Sequence, residues 1–284
     1  MRVIFGIIFV FGCVIGGYVM HHGNVMVLFQ PTEYLIIVGA ALGSFIIGNP
    51  SYIIKGVLKS LKKLLIGGYP IKKDNFLELL TFLYTIFKFM KTKGMLEVEA
   101  HIENPEGSDI FAKFPGFMHD HHAVEFFCDY VRVMTMGVDN KYVLEDMMMA
   151  ELEAHHAEAH EVSHSLQILG DAFPAIGIVA AVLGVIITMG SISEPPEILG
   201  GLIGAALVGT FLGVLISYCF VQPMAASLDK VFGNEGKYYE VIKTGLLAHV
   251  SGNAPAISVE FARKMIPYGV RPTFKEVEDA VQTA

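Results

Sequence analysis

Three histidines, His156, His160 and His164, recur every fourth residue with Glu153 close by. Imidazoles at that spacing on one helix face can ligate a metal such as zinc. No cysteine accompanies them, and the reading the residues favour is a polar face whose charge changes with pH, so no metal site is expected. A second group, His119, His121 and His122, has the same character. Glu33 and Asp171 stand only at the ends of long apolar runs, and inside those runs polarity is confined to hydroxyls such as Thr188, Thr210 and Ser217. A chain that moves ions through lipid places an ionisable group at mid-depth, where it binds and releases the ion. By that criterion the chain is either a structural membrane protein or half of a conduit whose acid comes from a partner. Neither a glycine loop followed by lysine nor a nucleophile elbow appears, and no enzyme activity is expected.

The elements that must position these groups are apolar helices. Only 17% of the 284 residues are charged and 53% are hydrophobic, against about 25% charged in a soluble domain. The mean hydropathy is +0.53. A formal charge of −8 argues against nucleic acid as a partner. Three cysteines, Cys13, Cys128 and Cys219, make no disulfide framework. Four stretches lack Asp, Glu, Lys and Arg: Val3 to Met20, Tyr34 to Ile54, Ala172 to Ser193, and Ile198 to Leu228. About 20 apolar residues cross a bilayer core of about 30 Å, so each can span once, with Pro223 ending the membrane part of the fourth near Gln222. The first run ends in Tyr18-Val19-Met20-His21-His22 rather than a small-residue cleavage site, and reads as an uncleaved span.

All 20 basic residues fall at Arg2, between Lys55 and Lys141, or from Lys230 onward. The positive-inside rule then puts both termini and the large insert in the cytoplasm. The expected architecture is all-α: a transmembrane hairpin over residues 1–54, a helical cytoplasmic domain over 55–169, a second hairpin over 170–222, and cytoplasmic helices over 223–284. Apolar residues repeat at helical spacing over Phe76 to Met90 and Val143 to Leu169. Turns are expected at Ile102 to Ser108 and at residues 137–140. Glycines four apart, Gly12/Gly16, Gly39/Gly43, Gly200/Gly204 and Gly209/Gly213, permit close helix approach, within one subunit or between subunits. Pro174 and Pro223 stand at matching levels near the cytoplasmic surface, where proline marks a helix end or permits a hinge.

Several segments carry a family signature. They are QPTEYLIIVGAALGSFIIGNP from Gln30, KFMKTKGMLEVEAHIE from Lys88 followed by NPEGSDIFAKFP, and LGDAFPAIGIVAAVLGVIITMGS from Leu169. GAALVGTFLGVLISYCFVQP from Gly204, APAISVEFARKMI from Ala254, and RPTF from Arg271 complete the set. Together with the four-span layout they resemble the MotA family of flagellar stator subunits across essentially the whole chain. The related ExbB and TolQ energisers of envelope transducers fit less well, and remain the alternative.

The resemblance implies a ring, taken as a pentamer, around a MotB dimer in the bacterial inner membrane. MotB would supply the membrane aspartate, and proton flow would drive the cytoplasmic insert against the rotor protein FliG. No cofactor is implied, only the transported proton. Lys91 falls at the family's rotor-contacting arginine and Glu99 at its glutamate. Lys88, Lys93, Glu97 and Glu103 could share those roles, and a further family acid falls on Glu151. Lysine keeps the charge but loses the planar fork. The family prolines fall on Pro174 and Pro223, which favours the hinge, and its channel threonine on Thr210. By helical rise Ala181 lies at nearly the depth of Thr210. Sodium-driven relatives tend to carry threonine where Ala181 stands. A methyl offers sodium no oxygen, so proton coupling is expected. Glu33, at the outer start of the second span, would shape proton entry.

Overall fold

The computed structural model describes residues 2–66, 71–138 and 140–283. Among these residues every regular element is helical. The chain divides into two compact units: Met1–Tyr69 with Glu158–Val231, and Pro70–Ala157 with Phe232–Ala284. Four helical stretches are long and apolar enough to cross a bilayer: Arg2–Met20, Val25–Gly48, Lys141–Gly190 and Pro196–Val250.

In the first unit, α1 (Arg2–Met20) is apolar all round and buries none of its residues; Phe5 is 71% exposed. Such a helix suits an apolar solvent. α2 (Val25–Leu28) is one turn, capped by the Asn24 side chain, which accepts from the Met26 N–H at 3.0 Å. α3 (Pro31–Gly48) opens on a proline, where a missing N–H costs nothing. It stops at Gly48, short of the expected end at Ile54. The cause is Asn49, which precedes Pro50 and is held in extended backbone at φ −129° and ψ 138°. Its side-chain amide donates to the Phe45 carbonyl at 2.8 Å, and a new helix, α4 (Ser51–Ile66), follows.

The second unit is built on aromatic packing. It holds α5 (Lys73–Lys93), α6 (Met95–Glu103), α7 (Pro115–Met118), α8 (His121–Thr135), the first turns of α9 (Lys141–Gly190), most of α11 (Gln222–Val250), α12 (Pro255–Met265) and α13 (Phe274–Thr283). Phe82, fully buried, stacks on Phe117 at 4.3 Å and meets Phe111, Phe114 and Phe127 edge-on. Gly94 joins α5 to α6 at φ +88°, a conformation that excludes a side chain without strain. The expected turn after α6 is present: the Asn104 side chain accepts from the Gly107 N–H at 3.2 Å. At the other turn Gly137 has φ +93°, and Asp139 lies outside the described residues.

Pro174 and Pro223 both lie within continuous helix, so neither marks a helix end. α9 is one helix of 50 residues that runs through Pro174, so no new helix begins at Ala172. Proline removes the single bond to the Gly170 carbonyl and leaves the turns on either side intact. α10 (Pro196–Ile216) likewise passes through one π turn (Ser217–Val221) into α11, and the helix does not end near Gln222. The Gln222 N–H reaches back five residues to the Ser217 carbonyl. That widened turn gives the Pro223 ring its room.

Candidate functional site

The pairing of α9 with α10 is made by residues without bulk. A Cβ on Gly177 would lie 2.8 Å from the Gly209 carbonyl oxygen and 3.1 Å from the Gly213 Cα. One on Gly213 would lie 2.6 Å from the Phe173 carbonyl oxygen, and one on Gly184 2.7 Å from the Ala206 Cβ. Backbone meets backbone along this seam, the close approach that small residues allow in lipid. Gly209 and Gly213 thus pack within the chain, whereas Gly12, Gly16, Gly39, Gly43 and Gly200 face open space.

Glu33 enters this seam. It is only 8% exposed, and its Oε2 has no hydrogen-bond partner among the described residues. A Cβ on Gly209 would sit 2.9 Å from that oxygen, 3.1 Å from the Ala180 Cβ and 3.2 Å from the Ala181 N. The carboxyl therefore lies over α10 at Gly209, the residue before Thr210, at the level of the Ala180 methyl and the Ala181 backbone N of α9. Gly209 stands 13 positions beyond Pro196, about 20 Å along the helix at 1.5 Å per residue. Glu33 itself stands in the first turn of α3, at the span start where the sequence puts it; what the structure adds is the contact of its carboxyl with α10. The sequence signal was available in Pro31-Thr32-Glu33, two residues into a helix preceded by a separate turn. What it lacked was the packing of α2 and α3 against α10.

The two prolines flank a polar link that sequence reading missed. Gln222, next to Pro223, donates its side-chain amide to Asp171 Oδ1 at 2.6 Å. Asp171 is three residues before Pro174 on α9. Two turns further toward the N-terminus of α9, the Ser163 hydroxyl reaches Asp229 Oδ1 at 3.3 Å. Both links tie α9 to α11. Ser217, at the start of the π turn, is fully buried, and its hydroxyl has no partner among the described residues.

In the second unit, Lys88, Lys91 and Lys93 are exposed at the end of α5, and Glu97 and Glu99 are exposed on α6 just past Gly94. These five occupy one α-turn-α corner. Lys88 Nζ lies 5.9 Å from the Tyr84 ring centroid. Behind the corner, His249 of α11 stacks flat on Phe87 at 4.5 Å. Burial, seconded by the Lys91 charge, lowers its pKa from the ordinary histidine value. Glu103, at the end of α6, is paired with Arg132 of α8 at 2.6 Å, and Arg132 also binds Asp129 at 2.6 Å. Glu151 lies elsewhere, on α9 facing α8. It accepts from the Tyr130 hydroxyl at 2.7 Å and lines a cavity of about 270 Å³ with His122, Asp129 and His155.

The histidine series does not act as a set. His156 packs against Gly236 of α11, where any Cβ would collide with its ring. His160 and His164 are exposed, with ring centroids 5.6 Å apart. The described residues hold no group of three or more His, Cys, Asp or Glu arranged for a metal.

Comparison with known proteins identifies the family. Residues 4–94 match the motility protein A N-terminal family, and residues 120–240 match the MotA/TolQ/ExbB proton channel family. Motility protein A of Escherichia coli K12 is 41% identical over 99% of this chain and 95% of that protein. Chemotaxis protein LafT of Vibrio parahaemolyticus is 34% identical over 98% and 97%. The fold is shared with the flagellar MotAB stator complex of Bacillus subtilis, at TM-score 0.76 and 24% identity over 95% of this chain and 98% of the other. The C. jejuni MotAB structure gives TM-score 0.77 at 17% identity, over 94% and 96%. These whole-chain relatives are motility proteins, which leaves the ExbB/TolQ alternative with less support. The chain belongs to the motility protein A family, the proton-channel subunits of the flagellar stator.

Proposed function

We propose that five copies of this chain ring a dimer of a MotB-type partner and turn proton flow into torque on a FliG-type rotor ring. The observation that carries the reading is Glu33, a buried carboxyl whose Oε2 has no hydrogen-bond partner among the described residues, set in the α9/α10 seam against Gly209. An ionisable group at such a depth is costly and marks an ion path. Each proton crossing releases about 2.3 kcal/mol per 100 mV. Glu33 and the Thr210 hydroxyl give an incoming proton a relay toward the partner's own membrane acid. The conduit is then shared between the two proteins. The backbone N of Ala181 lies at the same level, and its side chain, a methyl, offers sodium no oxygen, which supports proton rather than sodium as the coupled ion.

In this reading α1 with α3, and α9 with α10, form two transmembrane hairpins. The absence of Lys and Arg from residues 21–33 and 194–197 supports short outer loops there, with both termini and the insert in the cytoplasm of the bacterial inner membrane. Pro174 and Pro223, joined by the Asp171–Gln222 link, supply the hinge between proton site and cytoplasmic helices. The corner carrying Lys88, Lys91, Lys93, Glu97 and Glu99 supplies the alternating charge that a rotor surface engages, with Glu151 as a separate contact.

Swimming speed of cells relying on this stator tests the reading. Speed that survives sodium removal and collapses on addition of a protonophore is the expected result. Speed that tracks sodium refutes proton coupling and leaves the stator assignment standing. Intact swimming after deletion refutes the stator role itself.

A further inference from the structure

We infer that α4 is an interfacial helix that recruits anionic phospholipid headgroups through Lys55, Lys59 and Lys62. The inference rests on the reading above that α3 crosses the bilayer and delivers α4 to its cytoplasmic surface. α4 begins directly after the Asn49-Pro50 break, so it is free to leave the direction of α3. One of its faces is committed to its own unit: Ile53, Val57 and Leu64 are buried, and a Cβ on Gly56 would lie 3.0 Å from a Val162 methyl of α9.

The opposite face has a composition that neither water nor a protein core suits. Lys55, Lys59 and Lys62 recur at helical spacing and are exposed. None of the three forms an ion pair among the described residues. Between and beside them Leu58 is 64% exposed and Ile66 73% exposed. Water disfavours that much bare apolar surface, and a buried protein contact disfavours the ammonium groups. The headgroup boundary accommodates both, with leucine and isoleucine in the acyl margin and lysine stems reaching up to phosphate. The segment Ser51–Ile66 contains no Asp or Glu at all. The acids nearest to it belong to α9 at the Tyr52 end. Glu161 there accepts the Tyr52 hydroxyl at 3.2 Å, and Glu158 is close enough to act on the same phenol. A cluster of lysines directly cytoplasmic of a span, on an amphipathic helix, is the pattern that selects anionic over zwitterionic lipid.

The test uses the full chain with its partner in nanodiscs of phosphatidylcholine, doped with spin-labelled phosphatidylglycerol or spin-labelled phosphatidylcholine. The expected result is a several-fold preference for the anionic lipid in the motionally restricted shell. A triple variant, Lys55→Gln, Lys59→Gln and Lys62→Gln, brings the preference close to unity, and the corresponding triple arginine variant retains it. Equal restriction of both lipids around the unaltered protein overturns the proposal, as does a preference that survives the glutamine variant. A nitroxide at position 58 shielded from lipid-soluble oxygen also overturns it, because a second copy of the chain then covers the face. Labelling of Lys59→Cys by an impermeant thiol reagent in whole cells separates the two levels of the argument. Reaction from outside refutes the topology itself, whereas protection from outside with no lipid preference refutes only this inference.

Discussion

The two units of this molecule solve the packing problem in opposite ways. In the first, helices approach through Gly177, Gly209 and Gly213, and the large side chains point outward; Ile47 and Phe5 are bare. In the second, large side chains fill the centre, with Phe82, Phe111, Phe117 and Phe127 sharing ring contacts, and the charges lie on the rim. The difference follows from the solvent. Lipid tails are as apolar as leucine, so burying leucine gains little there and backbone proximity holds the helices together. Water drives rings inward at about 25 cal/mol per Å². A polar group is correspondingly conspicuous in the first unit, where Glu33 Oε2 and the Ser217 hydroxyl are buried without hydrogen-bond partners among the described residues.

The sharpest way to break the comparison is to add bulk to the glycine seam. Gly213→Val places a side chain against the Phe173 carbonyl and the Gly177 Cα, which are backbone and cannot yield. Loss of assembled stator is expected, read as membrane-extracted complex and as motility. Phe82→Ala should cost the second unit about 3–5 kcal/mol, as large-to-small core changes do, and be visible as early thermal or proteolytic unfolding of that unit with the first intact. Gly245→Ala, by contrast, brings a methyl to 3.1 Å of the Leu83 Cδ1, the far end of a flexible side chain. It should change thermal stability little. The same kind of substitution therefore separates the two solvents.

A smaller effect sharpens the comparison at the rim. The His249 pKa is lowered in the fold by burial and by Lys91, so the unfolded chain takes up a proton that the folded chain resists. Stability therefore falls as pH drops through and below the unfolded histidine value of about 6.5. His249→Phe keeps the stack on Phe87 and should flatten that slope. Lys91→Gln should raise the His249 pKa, followed by NMR of labelled histidine. A titration indifferent to Lys91 contradicts the account of the corner.

Much of this architecture was legible in the residues. The apolar runs located α1, α3 and the spanning parts of α9 and α10, because mean composition decides whether a helix suits lipid. The turn after α6 was legible from Asn104-Pro105, because its chemistry is local. Pro174 and Pro223 were open between helix end and hinge in the sequence, and the structure shows that neither ends its helix. A single proline ends a helix only when no neighbouring packing sustains the turns beyond it, and here a π turn and the α9–α11 links do so. Glu33 was legible at the start of α3, but its packing against Gly209 was not. Its distance from the start of α3 is readable in sequence, whereas its depth along α10 depends on how α2 and α3 pack. The charges of the α5–α6 corner were named through the family resemblance, whereas the pairing of Glu103 with Arg132 was not readable in sequence, because the partners lie on separate helices.

Torque per stator unit with Glu33→Gln tests the central claim most directly. It would be read from the stepwise speed increments of a bead-loaded motor as stators are restored, with Glu33→Asp as the conservative control. The account predicts that glutamine, which fills the same space but cannot exchange a proton, abolishes the increments, and that aspartate retains part of them. Full-height increments with glutamine at position 33 would contradict it.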